Sequence, residues 1–146
     1  MAECEGCTRV SDAAAGKNPH LVAEFPNSWL FLGDHQYFEG YCVLMAKSHV
    51  RELHEMGPSE YAGLMDELMQ ATRAIQAAFE PWKMNHACLG NQLQHVHWHI
   101  MPRFETDEDR FHNPWYNMED FKTRTPDAAT QARLIKRIKN HLGHMS

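Results

Sequence analysis

Between residues 95 and 100 the chain reads His-Val-His-Trp-His-Ile, three histidines separated by single apolar residues. Along an extended strand side chains alternate between faces, so His95, His97 and His99 would share one side while Val96, Trp98 and Ile100 face a core. Neighbouring imidazoles resist being charged together, because like charge and partial burial both favour the neutral form. A neutral imidazole can serve as nucleophile, base or metal ligand. Two chemistries are therefore open. The alternating histidines could converge on zinc, although nothing acidic follows them until Glu105. Alternatively the middle residue, His97, is a nucleophile held at a sheet surface.

Strands and helices are needed to hold such a row in place. Ser28–Gly33 is a short apolar and aromatic run closed by a Gly-Asp turn, and Tyr41–Lys47 is a second run set off by Gly40; together they read as an antiparallel pair. From Tyr61 onward, Leu64, Met65, Leu68, Thr72, Ile75 and Phe79 recur at three- and four-residue steps, which places them on one helix face. Gly57-Pro58 marks the start of this helix and Pro81 forces its end. Two further strands, Lys83–Gly90 and Gln94–Pro102, flank a short connection at Gly90-Asn91-Gln92. Residues 104–121 are polar, aromatic and irregular, and Trp115 within them packs against its own domain more readily than over a ligand. A last helix is expected over 126–142, with Thr125 as N-cap, Pro126 at its first position and Gly143 as its stop. The fold class expected is α+β: an antiparallel sheet of about five strands packed with a long central helix and a C-terminal helix.

Composition narrows the function classes. The 146 residues carry 14 Lys and Arg against 19 Asp and Glu, a net charge of −5, so a general basic nucleic-acid binder is excluded. Length and a 43% hydrophobic share fit one domain spanning 1–146. The acidic N-terminus has no apolar core and no run approaches the length of a membrane helix, so a cytoplasmic location without membrane contact is expected. Four cysteines without a secretory signal argue against a disulfide framework. Within the N-terminal segment 1–19, Cys4-x-x-Cys7 has the spacing of half a zinc site or of a redox pair, or else belongs to a loose chain end. Cys42 and Cys88 read as small apolar fillers. His35, His54, His86, His112, His141 and His144 receive no role.

His95-Val96-His97-Trp98-His99-Ile100-Met101, followed by Pro102-Arg103, resembles the signature of the histidine triad (HIT) family, His-φ-His-φ-His-φ-φ with φ apolar. The order of strand pair, long helix, two strands and C-terminal helix is similar to the HIT fold over about residues 20–140. The resemblance implies nucleotidyl transfer or hydrolysis at an α-phosphate. His97 would attack phosphorus and form a transient nucleotidyl-histidine, which water then releases as a nucleoside monophosphate. A hydrogen bond from its near ring nitrogen to a carbonyl would leave the far lone pair free. His99 would bind phosphate oxygens or assist the leaving group, with His95 completing the catalytic row. Asn91 and Gln92 would supply neutral donors to the phosphoryl oxygens. Asp34 falls near the family's ribose-contacting position, and Asn85 is taken as a further substrate contact. The loop Gly90-Asn91-Gln92-Leu93-Gln94 is shorter than the Gly-rich loop of many members.

The same resemblance implies a structural zinc held by Cys4, Cys7, His49 and His95, a purine nucleotide as substrate, and a homodimer with one sheet continued across the interface. Because neutral histidines are required, activity is expected to fall below about pH 6. Two other classes stay open: a metal-dependent hydrolase with His95, His97 and His99 as ligands, and a nucleotide-binding regulatory module.

Overall fold

The computed structural model describes residues 3–143; His144 lies outside them. Five strands, β1 (Leu21–Glu24), β2 (Ser28–Leu32), β3 (Cys42–Ala46), β4 (Lys83–Ala87) and β5 (His97–Arg103), form one antiparallel sheet in the order β1-β2-β3-β5-β4. Three α-helices accompany them: α1 (Glu5–Ala14), α2 (Pro58–Phe79) and α3 (Ala128–Leu142). The α+β expectation holds, and the expected order of strand pair, long helix, two strands and C-terminal helix is present.

Helix α2 forms where its punctuation dictates. Gly57 caps it in an extended conformation and Pro58 takes the first position, where a missing N–H costs nothing. At the other end Glu80 turns left-handed (φ 49°) and its N–H returns to the Gln76 carbonyl, with Pro81 barring continuation. The stripe Leu64, Leu68, Ala71, Ile75 and Phe79 is buried against Leu30, Leu32, Leu44 and Ile100 of the sheet. Burying each large side chain contributes roughly 1.5–3 kcal/mol. Glu67 is the charged exception on this helix. It accepts from the Asn27 backbone N–H (2.8 Å), Asn27 Nδ2 (3.0 Å) and Ser28 Oγ (2.5 Å), which ties the β1–β2 turn to the helix.

Helix α3 covers the same face of the sheet beside α2 and β1. It starts later than expected. Asp127, not Thr125, is the N-cap, its carboxylate accepting from the Thr130 N–H at 2.7 Å, and Pro126 lies outside the helix. Gly143 closes it as expected.

The opposite face is covered by other means. Val10 and Ala13 of α1 pack on Trp29, Phe31 and Met45. Further along, Tyr41, Met101, Phe38 and Phe121 form an aromatic cluster joined by Trp115. Between these two patches, on the same face, lie the side chains of His97 and His99. Neither α1 nor β1 was anticipated from the sequence. The last strand also begins three residues later than expected, at His97, so His95 precedes it.

Candidate active site around His97

Alternation on β5 works as the sequence pattern requires. Trp98 and Ile100 pair with Leu44 and Cys42 and join the α2-side core, whereas His97 and His99 pair with Met45 and Val43 on the other face. Strand β5 is interior to the sheet, so both histidines stand on backbone that is hydrogen-bonded on at least one side throughout. The two rings sit 5.0 Å apart, nearly perpendicular.

Each ring has one nitrogen committed. His97 Nδ1–H donates to the His95 carbonyl at 2.7 Å, so in the neutral ring the lone pair sits on Nε2. His99 Nδ1 meets the Tyr41 hydroxyl at 2.7 Å. Burial, with smaller repulsions from His97 and His35, pulls the His99 imidazole down to about 4. His99 is therefore neutral at physiological pH.

Both rings line a cavity of about 410 Å³ together with Asn91, Gln92, Trp115 and Met118. That volume suits a small-molecule ligand. Leu89, Gly90 and Leu93 complete its wall. Asn91 and Gln92 thus share one cavity with His97 and His99. Trp115 stands edge-on to His99 at 5.1 Å, so the aromatic segment, expected to pack on its own domain more readily than over a ligand, also forms part of the cavity.

His95 is placed differently from the row the alternation rule suggested. It is wholly buried and does not line the cavity. Its Nε2–H donates to the Ala46 carbonyl at 2.7 Å, and its Nδ1 faces Cys4 Sγ (3.6 Å) and Cys7 Sγ (3.7 Å). Cys7 Sγ in turn lies 3.2 Å from His49 Nδ1. All four ligand atoms fall within 4.8 Å of one another. With Zn–S near 2.3 Å and Zn–N near 2.0 Å, the edges of a tetrahedral site are about 3.5 Å, so this set has the right size and donors for zinc. Burial, reinforced by His49 and His97, holds His95 below the usual imidazole range, in the neutral form a metal requires. Gly6 permits the arrangement: a Cβ there would lie 2.6 Å from the His95 ring.

Asp34 and Asn85 do not reach the cavity. Asp34 is exposed and meets Arg9 Nη2 of α1 at 3.3 Å and His20 at 3.8 Å. Asn85 shares the triad's face of the sheet, but its Oδ1 accepts from Arg103 Nη1 at 2.9 Å. Arg103 is fully buried and also donates to the carbonyls of His112 and Asp109, both at 2.8 Å. It thereby anchors the segment that carries Trp115. Tyr41 is the site residue that sequence reasoning missed. The signal was present, since Val43 and Met45 of β3 share the face of His97 and His99, and Tyr41, just ahead of the strand, continues their spacing of two.

The geometry coincides with a known family. The model of the HIT domain matches residues 15–106, and the chain belongs to the histidine triad family. Among curated proteins none matches. Among solved structures, the chain is similar to a histidine triad protein from Marinobacter aquaeolei (TM-score 0.75, 21% identity, 87% of this chain and 90% of that one). It is also similar to a zinc-bound histidine triad family protein from Mycobacterium smegmatis (TM-score 0.71, 21% identity, 99% and 98%). A third likeness is to the diadenosine triphosphate hydrolase of Plasmodium falciparum (TM-score 0.63, 14% identity, 87% and 78%). Among the described residues no helix is long and apolar enough to cross a membrane.

Proposed function

We propose that this protein is a nucleotide hydrolase or transferase that cleaves at the α-phosphate of a purine nucleotide through a nucleotidyl-His97 intermediate. Dinucleoside polyphosphates and nucleoside phosphoramidates are the substrate classes. The observation that carries this reading is the His97 tautomer: Nδ1–H is tied to the His95 carbonyl, so Nε2 offers a lone pair to the cavity. Nε2 attacks the α-phosphorus, the N–P bond forms, and the bond to the leaving group breaks. The leaving group departs with the electron pair and is protonated from solvent. Water then attacks the same phosphorus, breaks the N–P bond and releases the nucleoside monophosphate. Asn91, Gln92 and His99 donate to the phosphoryl oxygens, where negative charge builds. Asp34 and Asn85 take no part, because their side chains are engaged elsewhere.

In this reading Cys4, Cys7, His49 and His95 hold one structural zinc, which when bound cross-links α1 to the end of β3 and the approach to β5. The donor set and its spacing support this, and the free thiols of Cys4 and Cys7 suit a reducing cytoplasm. Homodimerisation through the edge strand β4, flanked by the exposed Trp82 and Phe111, completes the reading. Neither nucleic acid nor membrane is a partner. The turning away of His95 favours histidine nucleophilic catalysis over a metal-dependent hydrolase with three converging histidines.

The test is release of AMP from a diadenosine polyphosphate and from an adenosine phosphoramidate by wild type and His97→Ala, with rapid quenching to trap the covalent adduct. Release and adduct in wild type, both absent in a folded His97→Ala, are the expected result. Release by His97→Ala near the wild-type rate overturns the nucleophile. Tight AMP binding without release from either substrate points instead to a binding module.

A further inference from the structure

We propose that Tyr41 is a positioning residue: it holds His99 in the Nε2–H tautomer, so that His99 meets the substrate as a neutral hydrogen-bond donor beside the His97 lone pair. This rests on the proposed function for its kinetic consequence, but not for its geometry.

The direction of the Tyr41–His99 hydrogen bond follows from satisfiability. Tyr41 is buried, and among the described residues His99 Nδ1 is the one hydrogen-bond partner of its hydroxyl. If Nδ1 carried the proton and donated to the phenol oxygen, the phenol's own hydrogen would be buried without an acceptor, which is costly. The phenol therefore donates, Nδ1 accepts, and the imidazole proton sits on Nε2. His97 and His99 then carry opposite functions at equivalent atoms, a lone pair on one Nε2 and a proton on the other.

The Tyr41 ring is held for this task. Gly33 lies against it so closely that a Cβ there would overlap the ring. On the ring itself His35 stacks at 4.9 Å, backed in turn by Phe121 at 4.4 Å. Trp115 braces the His99 ring edge-on. Donation without proton transfer is the consequence of the surroundings. Burial pushes the Tyr41 phenol well above its ordinary value, and Asp34 and Cys42 add to the push, so a phenolate at this place is strongly disfavoured. Tyr41 therefore orients His99 and does not relay a proton through it.

Long-range proton–nitrogen NMR of the imidazole rings, compared between wild type and Tyr41→Phe, reads the tautomer directly. Wild type is expected to show His99 protonated on Nε2 with an acceptor Nδ1. In Tyr41→Phe, Nδ1 loses its donor, the two tautomers mix, and kcat falls about ten- to hundredfold while KM shifts far less, as for a misoriented group. The unfolding temperature should fall by only a few degrees. Gly33→Ala, which keeps the phenol but pushes its ring, and the hydroxyl with it, away from His99, is expected to reproduce the tautomer change and serves if Tyr41→Phe does not fold. An unchanged His99 tautomer overturns the proposal, and so does a changed tautomer with unaltered kcat. If wild type turns over neither substrate, the functional reading fails by itself. The tautomer measurement, with AMP affinity in place of kcat, still decides the role of Tyr41.

Discussion

The two histidines flanking His97 have opposite surroundings. His95 lies in a sulfur-lined recess under α1, with Nε2–H spent on the Ala46 carbonyl and Nδ1 left facing Cys4 and Cys7. His99 lies among aromatic rings, with Nδ1 taken by Tyr41 and Nε2 left to the cavity. One residue type, repeated at every second position, turns a free nitrogen toward two thiols at one end and toward the cavity at the other. The difference arises from which ring nitrogen each neighbourhood occupies. His97 links the two through the carbonyl of His95, so the recess that could hold a metal also holds the His97 tautomer.

The largest effect falls between the flanks. His97→Ala should lower turnover by at least about 10³-fold with folding retained, as steady-state kinetics beside circular dichroism would check. On the sulfur side, chelation or Cys4→Ser with Cys7→Ser should cost about 3–4 kcal/mol, roughly 10 °C in unfolding temperature, for a ligand held well above its dissociation constant. Calorimetry that shows no change, alongside no metal by elemental analysis, would remove the zinc from this flank.

On the aromatic side the sensitivity is to acid. The folded His99 titrates near 4, below the value near 6.5 of an unfolded histidine, so the unfolded chain takes up a proton first as pH drops. Stability is therefore full above about pH 6.5 and is lost as pH falls toward 4, by on the order of 2 kcal/mol from this residue. Denaturant titrations at pH 7 and pH 4.5 should show a smaller loss in His99→Gln than in wild type. The smallest effect is expected at the rim: Trp115→Ala should weaken AMP binding by about 1 kcal/mol, a few-fold in affinity. A variant that binds AMP as wild type does but melts earlier would reduce Trp115 to packing.

Legibility in the sequence followed how local each cause is. The β5 alternation and the α2 stripe are written in period 2 and period 3.6, so their faces could be read directly; Pro58 and Pro81 also bracket α2, whereas no such signal marks the start of β5. Thr125-Pro126-Asp127 holds two possible caps, and the carboxylate of Asp127 prevails by reaching the Thr130 N–H. Helix α1 could not be read, because Glu5–Ala14 offers little apolar surface beyond Val10 and Ala13. Its partners, Trp29, Phe31 and Met45, lie in β2 and β3. Missing α1 also displaced Asp34, whose side chain is drawn to Arg9 on that helix. Asn85 was misjudged for a similar reason, since its partner Arg103 stands across the strand pair on β5. The four proposed metal ligands were named from the family resemblance, and the fold does bring them together.

Gly6 supplies no donor, charge or apolar surface, yet it settles how much the N-terminus can vary. Its missing side chain is the space into which the His95 ring fits. Adding even a methyl group at position 6 would force α1 and the ring apart, shifting both thiols and the carbonyl that His97 leans on. Relief by shrinking residue 95 would remove the ring that meets both thiols. Positions 6 and 95 must therefore change together or not at all.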